Sequence, residues 1–151
     1  MREGWELKTL GDVCETTQGV QIVKSKQLSE PSKGLRRYLY ISDFRHEKNL
    51  KYVEDIYPKK IVTENDLIVV NTGNSSGDVF KGIDGILSNN LFKVSFDKTK
   101  ISTDYIYYFL SSDVFVSFQD EIKRGTANPH MGHKNFSLCP ILIPPLPEQK
   151  Q

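Results

Sequence analysis

Four large apolar side chains in a row, Leu67-Ile68-Val69-Val70, follow Asp66 and precede a polar stretch from Asn71 to Gly77 that contains two glycines. Three of the four are branched at Cβ, which favours extended backbone. Successive side chains on a strand point to opposite faces, so this run leaves no face for water. It predicts a central strand over 66–70, covered by other layers on both sides. A chain of 151 residues suits one domain built on one such core.

The other segments arrange themselves around that strand. Leu7, Leu10, Val13 and Cys14 have helical spacing and predict a short amphipathic helix, followed by a turn at Thr16-Thr17-Gln18-Gly19. Residues 24–37 hold Ser, Pro, Gly and five basic side chains and read as an exposed loop. Tyr38–Ile41, Gly85–Leu87 and Leu91–Phe96 predict strands, the last alternating with period two. Ser102 or Thr103 can cap a helix over 104–110, with Asp104 near its positive end. Ser111-Ser112-Asp113 breaks it and can cap another. There Val114, Phe118 and Ile122 recur at spacing four and predict the apolar face, with Gly125 as the stop. The segment 126–134 reads as polar and irregular. Residues 136–143 read as a last strand, stopped by Pro144-Pro145-Leu146-Pro147. Strands, then helices, then a strand predict an α+β fold: a mixed, curved β-sheet with a helical subdomain, in a single domain.

Composition narrows the function. With 38% hydrophobic and 26% charged residues the chain is globular rather than disordered. It has no run approaching the roughly 20 apolar residues that span a bilayer and opens without an apolar signal core, so a cytoplasmic protein with no membrane contact is expected. Two cysteines, Cys14 and Cys139, are too few for a disulfide framework. The net charge is only +1, but it is unevenly spread. From Lys24 to Lys60 ten Lys and Arg face five Asp and Glu; from Glu64 to Glu121 four face nine. Lys123, Arg124 and Lys134 then add three positive charges, with His130 and His133 in reserve below about pH 6.5. Charge runs often mark nothing more than solvated surface. If the fold joins these two basic segments, they form one positive face.

Several chemistries are absent. Gly73 to Gly77 lacks the Lys-Ser/Thr of a phosphate-binding loop, and no dinucleotide fingerprint occurs. His130 and His133 could both bind a metal, but zinc needs further ligands, and only Cys14, Cys139 and His46 remain; no metal site is expected. Cys139 lies before Pro140 in an apolar run and reads as a buried, inert thiol. Asn128-Pro129-His130 shares only its first two residues with the Asn-Pro-Pro-aromatic motif of amino methyltransferases, and no cofactor loop accompanies it.

Three stretches, in order, resemble one family. Gly4-Trp5-Glu6-Leu7-Lys8-Thr9-Leu10-Gly11-Asp12-Val13 is similar to the opening of the domains of type I restriction–modification specificity subunits. Glu64–Val70, a Gly-rich turn and Ser88–Val94 look like that family's central strand pair. Pro129–Phe136 leading into Pro140-Ile141-Leu142-Ile143-Pro144-Pro145-Leu146-Pro147-Glu148-Gln149 resembles its closing signature most closely. The resemblance implies a target-recognition domain over 1–151 that binds double-stranded DNA, reads one half of a bipartite target and catalyses nothing. It also implies a second target-recognition domain, methyltransferase subunits and restriction–translocase subunits as partners. S-adenosylmethionine belongs to the methyltransferase, so no cofactor is expected here. A spacer helix is expected to start at about Pro147, and its absence from the chain suggests an excised domain or a truncated half-subunit. The alternative is a protein–protein scaffold whose basic loops are incidental.

On the DNA-binding reading, Lys and Arg hold phosphates while Arg, Asn and Gln at base edges set specificity. The phosphate candidates are Lys24, Lys26, Lys33, Arg36, Arg37, Lys123, Arg124 and Lys134. The base-reading candidates are Gln18, Gln21, Arg45, Asn74, Ser75, Asn90, Asn128 and His130. Tyr105, Tyr107, Tyr108 and Phe109 have helical spacing and read as core rather than as stacking platforms.

Overall fold

A computed structural model describes residues 2–71, 75–124 and 132–150. In chain order its elements are β1 (Glu6–Thr9), α1 (Leu10–Val13), β2 (Cys14–Gln18), β3 (Leu35–Leu39), β4 (Lys51–Glu54), β5 (Ile61–Val62), β6 (Leu67–Val70), β7 (Val79–Lys81), β8 (Gly85–Leu87), β9 (Leu91–Phe96), α2 (Thr103–Leu110), α3 (Asp113–Arg124), α4 (Gly132–Ser137) and β10 (Pro140–Ile143). Short 3-10 turns occupy Lys24–Lys26, Ile41–Phe44, Pro58–Lys60 and Leu146–Lys150.

The apolar run becomes β6, and all four of its side chains are fully buried. It lies inside an antiparallel sheet of order β2-β9-β6-β7. Leu67 and Val69 face the helices, in a core with Phe92, Val94, Ile106, Phe115 and Phe136. Ile68 and Val70 face a second sheet, in a core with Leu39, Val62, Leu87 and Leu91. That second sheet, β4-β3-β8-β5, is mixed because β3 and β8 run parallel. Its far face carries Tyr38, Val53 and Ile86, which cluster with Ile22. The fold is thus α+β in three layers: helices, antiparallel sheet, mixed sheet. The core explains why an amphipathic strand would not serve at β6.

Several local expectations are corrected, among them the turn expected at Thr16–Gly19, where Thr16–Gln18 instead belong to β2 and pair with β9. The opening segment is a strand before it is a helix. Residues 6–9 pair antiparallel with β10, Leu7 opposite Leu142, and only Leu10–Val13 turn helically. The backbone ladder supplied from the far end of the chain decides the conformation, and Leu7 is left 64% exposed. The expected loop over 24–37 ends in β3, whose basic residues are tolerated in a sheet because carboxylates meet them. The expected last strand is split, with Phe136 in α4, packed edge-on against Phe92 and Phe115, and only Pro140–Ile143 extended.

The helices behave closer to expectation. Ser102 caps α2 by accepting a hydrogen bond from the Tyr105 amide, and Ser111 ends it. The second helix forms, and Phe118 packs half-buried against the helix-side core as expected, but the deepest positions lie one residue on, at Phe115 and Gln119, while Val114 is exposed. Of the aromatic residues on α2, Tyr105, Tyr107 and Phe109 pack against the helix-side core and Tyr108 is exposed. Gly125 lies outside the described residues.

Candidate functional site

Strand direction brings loops from distant parts of the sequence to one end of the molecule. In the antiparallel sheet, β2 and β6 finish where β9 and β7 begin: Gln18 lies opposite Phe92, Val70 opposite Leu91, and Val69 opposite Val79. Hydrogen bonds tie the loops at this end together. The Gln18 side-chain amide donates to the Asn89 carbonyl (2.9 Å), and the Asn71 amide to the Asn90 carbonyl (2.8 Å). The parallel strands β3 and β8 finish at the same rim, because the Val20 amide donates to the Leu87 carbonyl (2.9 Å) and the Ser88 amide to the Leu39 carbonyl (3.0 Å). Gly19 is required where these loops meet, since a side chain there would overlap the carbonyls of Leu87 and Ser88.

This rim gathers most of the base-reading candidates that are described. Gln18, Gln21 and Asn90 are exposed on it. Arg45 follows the turn Ile41–Phe44 and reaches Ser75, donating from Nη2 to Oγ at 2.8 Å. The same nitrogen lies 3.4 Å from the Asp78 carboxylate, and the guanidinium lies 5.9 Å from the centre of the Phe80 ring. Asn74, Asn128 and His130 lie outside the described residues.

The phosphate candidates divide. Lys24 and Lys26 are exposed on a turn held near the rim, where the Gln27 side chain donates to the Ile22 carbonyl (2.9 Å) and to the Tyr40 hydroxyl (2.7 Å). Lys33 is exposed before β3 starts, hence towards the opposite end. Arg36 is held between Asp55 and Asp84, each at 2.9 Å. Arg37 lies between Asp43 at 2.9 Å and Glu47 at 3.6 Å. Both arginines therefore have their charge met within the chain. Arg124 is exposed at the end of α3, with Nε donating to the Asp120 carbonyl, and Lys134 is exposed on α4. Lys123 belongs to α3, but its side chain is outside the described residues.

Sequence reasoning missed a polar cluster along β2, one edge strand of its sheet. Lys60 donates from Nζ to the Gln18 carbonyl (2.8 Å), and Lys93 from Nζ to the Ile61 carbonyl (3.3 Å). His133 shares a hydrogen bond of 2.6 Å with the Thr16 hydroxyl and packs 4.8 Å from the Phe92 ring. The cluster links α4 to both sheets. The adjacent Lys59 and Lys60 were its only local sign in the sequence. His133 also corrects an expectation. Burial, with the Lys60 charge second, holds its pKa below the ordinary 6.5, so it gains charge only at more acidic pH than assumed.

Burial pushes the Cys14 thiol up to about 12 and the Cys139 thiol up to about 11, so neither is a thiolate nucleophile near neutrality. Among the described residues no three His, Cys, Asp or Glu side chains are placed to share a metal ion, and no helix is long and apolar enough to cross a membrane.

Comparison with known proteins places this geometry. The family model for the type I restriction modification DNA specificity domain matches residues 2–151. A specificity subunit of the type I restriction enzyme MjaVIII from Methanocaldococcus jannaschii is 34% identical over 149 residues. That match covers 99% of this chain and 34% of the relative, so the chain spans about a third of that relative's length. Among solved structures, the HsdS subunit from Thermoanaerobacter tengcongensis superposes with a TM-score of 0.71 at 16% identity, over 99% of this chain and 36% of that one. The S subunit of a type I restriction–modification system from M. genitalium gives 0.72 at 13% identity, over 98% and 37%. A chain from a study of type I complex assembly and conformational transition gives 0.75 at 17% identity, over 99% and 36%. These structures share the fold seen here.

Proposed function

This chain belongs to the type I restriction modification DNA specificity domain family, and from that premise we propose that its loop rim reads one half of a bipartite DNA target. The single observation that carries this reading is the convergence of Gln18, Gln21, Arg45, Ser75 and Asn90 on one end of two stacked sheets. A rigid scaffold that presents polar loops from separate chain segments is what sequence reading requires. Lys24, Lys26, Arg124 and Lys134 supply exposed positive charge for phosphates. The pairing of Arg36 and Arg37 with carboxylates supports a scaffold role for those two in this reading.

In this reading the domain contributes recognition and no catalysis. A second target-recognition domain reads the other half-site. Methyltransferase subunits, which bind S-adenosylmethionine, and restriction–translocase subunits act where the specificity subunit places them. The work is cytoplasmic, on double-stranded DNA.

The test is a binding selection from randomised duplexes, using the full specificity subunit assembled with its methyltransferase. The expected result is a bipartite motif, one half of which changes when rim residues of this domain are substituted. A complex that assembles and methylates, yet keeps both halves unchanged through rim substitutions, would leave this domain as a protein scaffold.

A further inference from the structure

We propose that Arg45 reads a guanine in the half-site, with Ser75, Asp78 and Phe80 holding its guanidinium ready for that base. The inference rests on the DNA-reading role proposed above and adds the identity of one base.

Three arginines lie in the basic segment between Lys24 and Lys60, and they are held differently. Arg36 and Arg37 each lie between two carboxylates, and their side chains are 28% and 16% exposed. Arg45 is 47% exposed, with a single carboxylate at 3.4 Å and a serine hydroxyl at 2.8 Å. Both of those contacts run through Nη2, so among the described residues Nε and Nη1 carry no partner.

The stem beneath this guanidinium is fixed. Asp43, buried and paired with Arg37, accepts a hydrogen bond from the Tyr40 amide at 2.8 Å and so holds the turn Ile41–Phe44. The Arg45 amide donates to the Ser42 carbonyl at 3.1 Å. Phe44 stacks on Phe80 with ring centres 5.4 Å apart, and Phe80 in turn lies under the guanidinium. Little side-chain freedom remains to be lost when Arg45 meets a base.

A guanidinium only donates, through a planar fork. Of the four bases, guanine alone offers two adjacent acceptors, N7 and O6, in the major groove. Adenine pairs an acceptor with a donor, thymine offers one acceptor beside a methyl group, and cytosine offers a donor. A phosphate would also accept from Arg45, but it would do so without regard to sequence.

The experiment uses randomised double-stranded oligonucleotides and the assembled complex of full specificity subunit and methyltransferase. Wild type is compared with Arg45→Ala, Arg45→Gln, Arg45→Lys and Phe80→Leu. The expected wild-type half-site contains a G·C pair at one position. Arg45→Ala and Arg45→Gln should lower preference there roughly 10- to 100-fold while the other positions hold. Phe80→Leu should weaken the same position to a lesser extent, and Arg45→Lys should keep a reduced guanine preference. A half-site with no G·C pair overturns the proposal, as does a guanine preference that survives Arg45→Ala. Uniform weakening across all sequences, restored by Arg45→Lys, would make Arg45 a phosphate contact and overturn it too. A wild-type complex that enriches no motif overturns the DNA-reading role together with this inference, and is distinct from those results.

Discussion

The side-chain amide of Gln119 on α3 donates to the carbonyl oxygen of Gly77 at 3.2 Å, and both residues are buried. Gly77 has a φ of +92°, and a methyl group on it would overlap the Gln119 amide. The contact joins the helix layer to the turn that carries Ser75 and Asp78. Gly77→Ala combines backbone strain with that overlap, at a cost of about 2 kcal/mol. The melting temperature should fall by roughly 4–8 °C for a domain this size. Adding Gln119→Ala should recover part of the loss by removing the overlap. An unchanged melting temperature in the single variant would show that the turn is not held in this way.

Val69 is fully buried against Phe92 and Phe115 in the helix-side core. Val69→Asp places an unpaired carboxylate there, at a cost of several kcal/mol, comparable with the whole stability of a domain. The variant should show no cooperative thermal transition by circular dichroism. A cooperative melt near the wild-type temperature would contradict the burial of β6.

The basic residues should separate by experiment as they do by contact. Lys24, Lys26 and Lys134 are exposed, so alanine at each should lower the salt slope of DNA binding by the assembled complex by about one, with the sequence preference unchanged. Arg37→Ala strands the buried Asp43 carboxylate and should instead destabilise the fold by about 3 kcal/mol, read by urea denaturation. If Arg37→Ala changed the salt slope and left stability intact, its pairing with Asp43 would not hold in solution.

His133 links folding to pH. Its folded pKa lies below the ordinary 6.5, so on acidification the unfolded chain takes up the proton first. The stability from neutral His133 is present above about pH 6.5 and is lost as pH falls towards the folded pKa. The stability advantage of wild type over His133→Gln should therefore shrink between pH 7.5 and 5.5. Unfolding titrations at the two pH values measure it, and an advantage that grew on acidification would contradict the account.

Legibility in the sequence followed how local each determinant is. β6 could be read because four consecutive apolar residues admit one environment, and the start of α2 because Ser102 acts on an amide three residues away. The opening strand could not, because its partner is β10, more than 130 residues away in the chain. The deepest positions of α3 were missed by one residue because its inward position 119 carries Gln, which is polar yet buried by its bond to Gly77. At the candidate site, loop polarity pointed to segments that the fold brings together at one rim. The neutralisation of Arg36 depends on Asp55 and Asp84, and the Lys60–Gln18 link joins residues 42 positions apart, so neither is visible before folding.

The central claim, that the loop rim determines which DNA sequence is recognised, is tested most directly by mapping methylated bases genome-wide. Cells would express the methyltransferase with the full specificity subunit, either wild type, with Gln18, Ser75 and Asn90 replaced by Ala, or with Lys33→Ala at the opposite end of the domain. The account predicts that the triple variant relaxes or changes one half of the methylated motif and leaves the other half and their spacing intact, while Lys33→Ala keeps the wild-type motif. A triple variant that still methylates the unaltered motif at wild-type selectivity would contradict it.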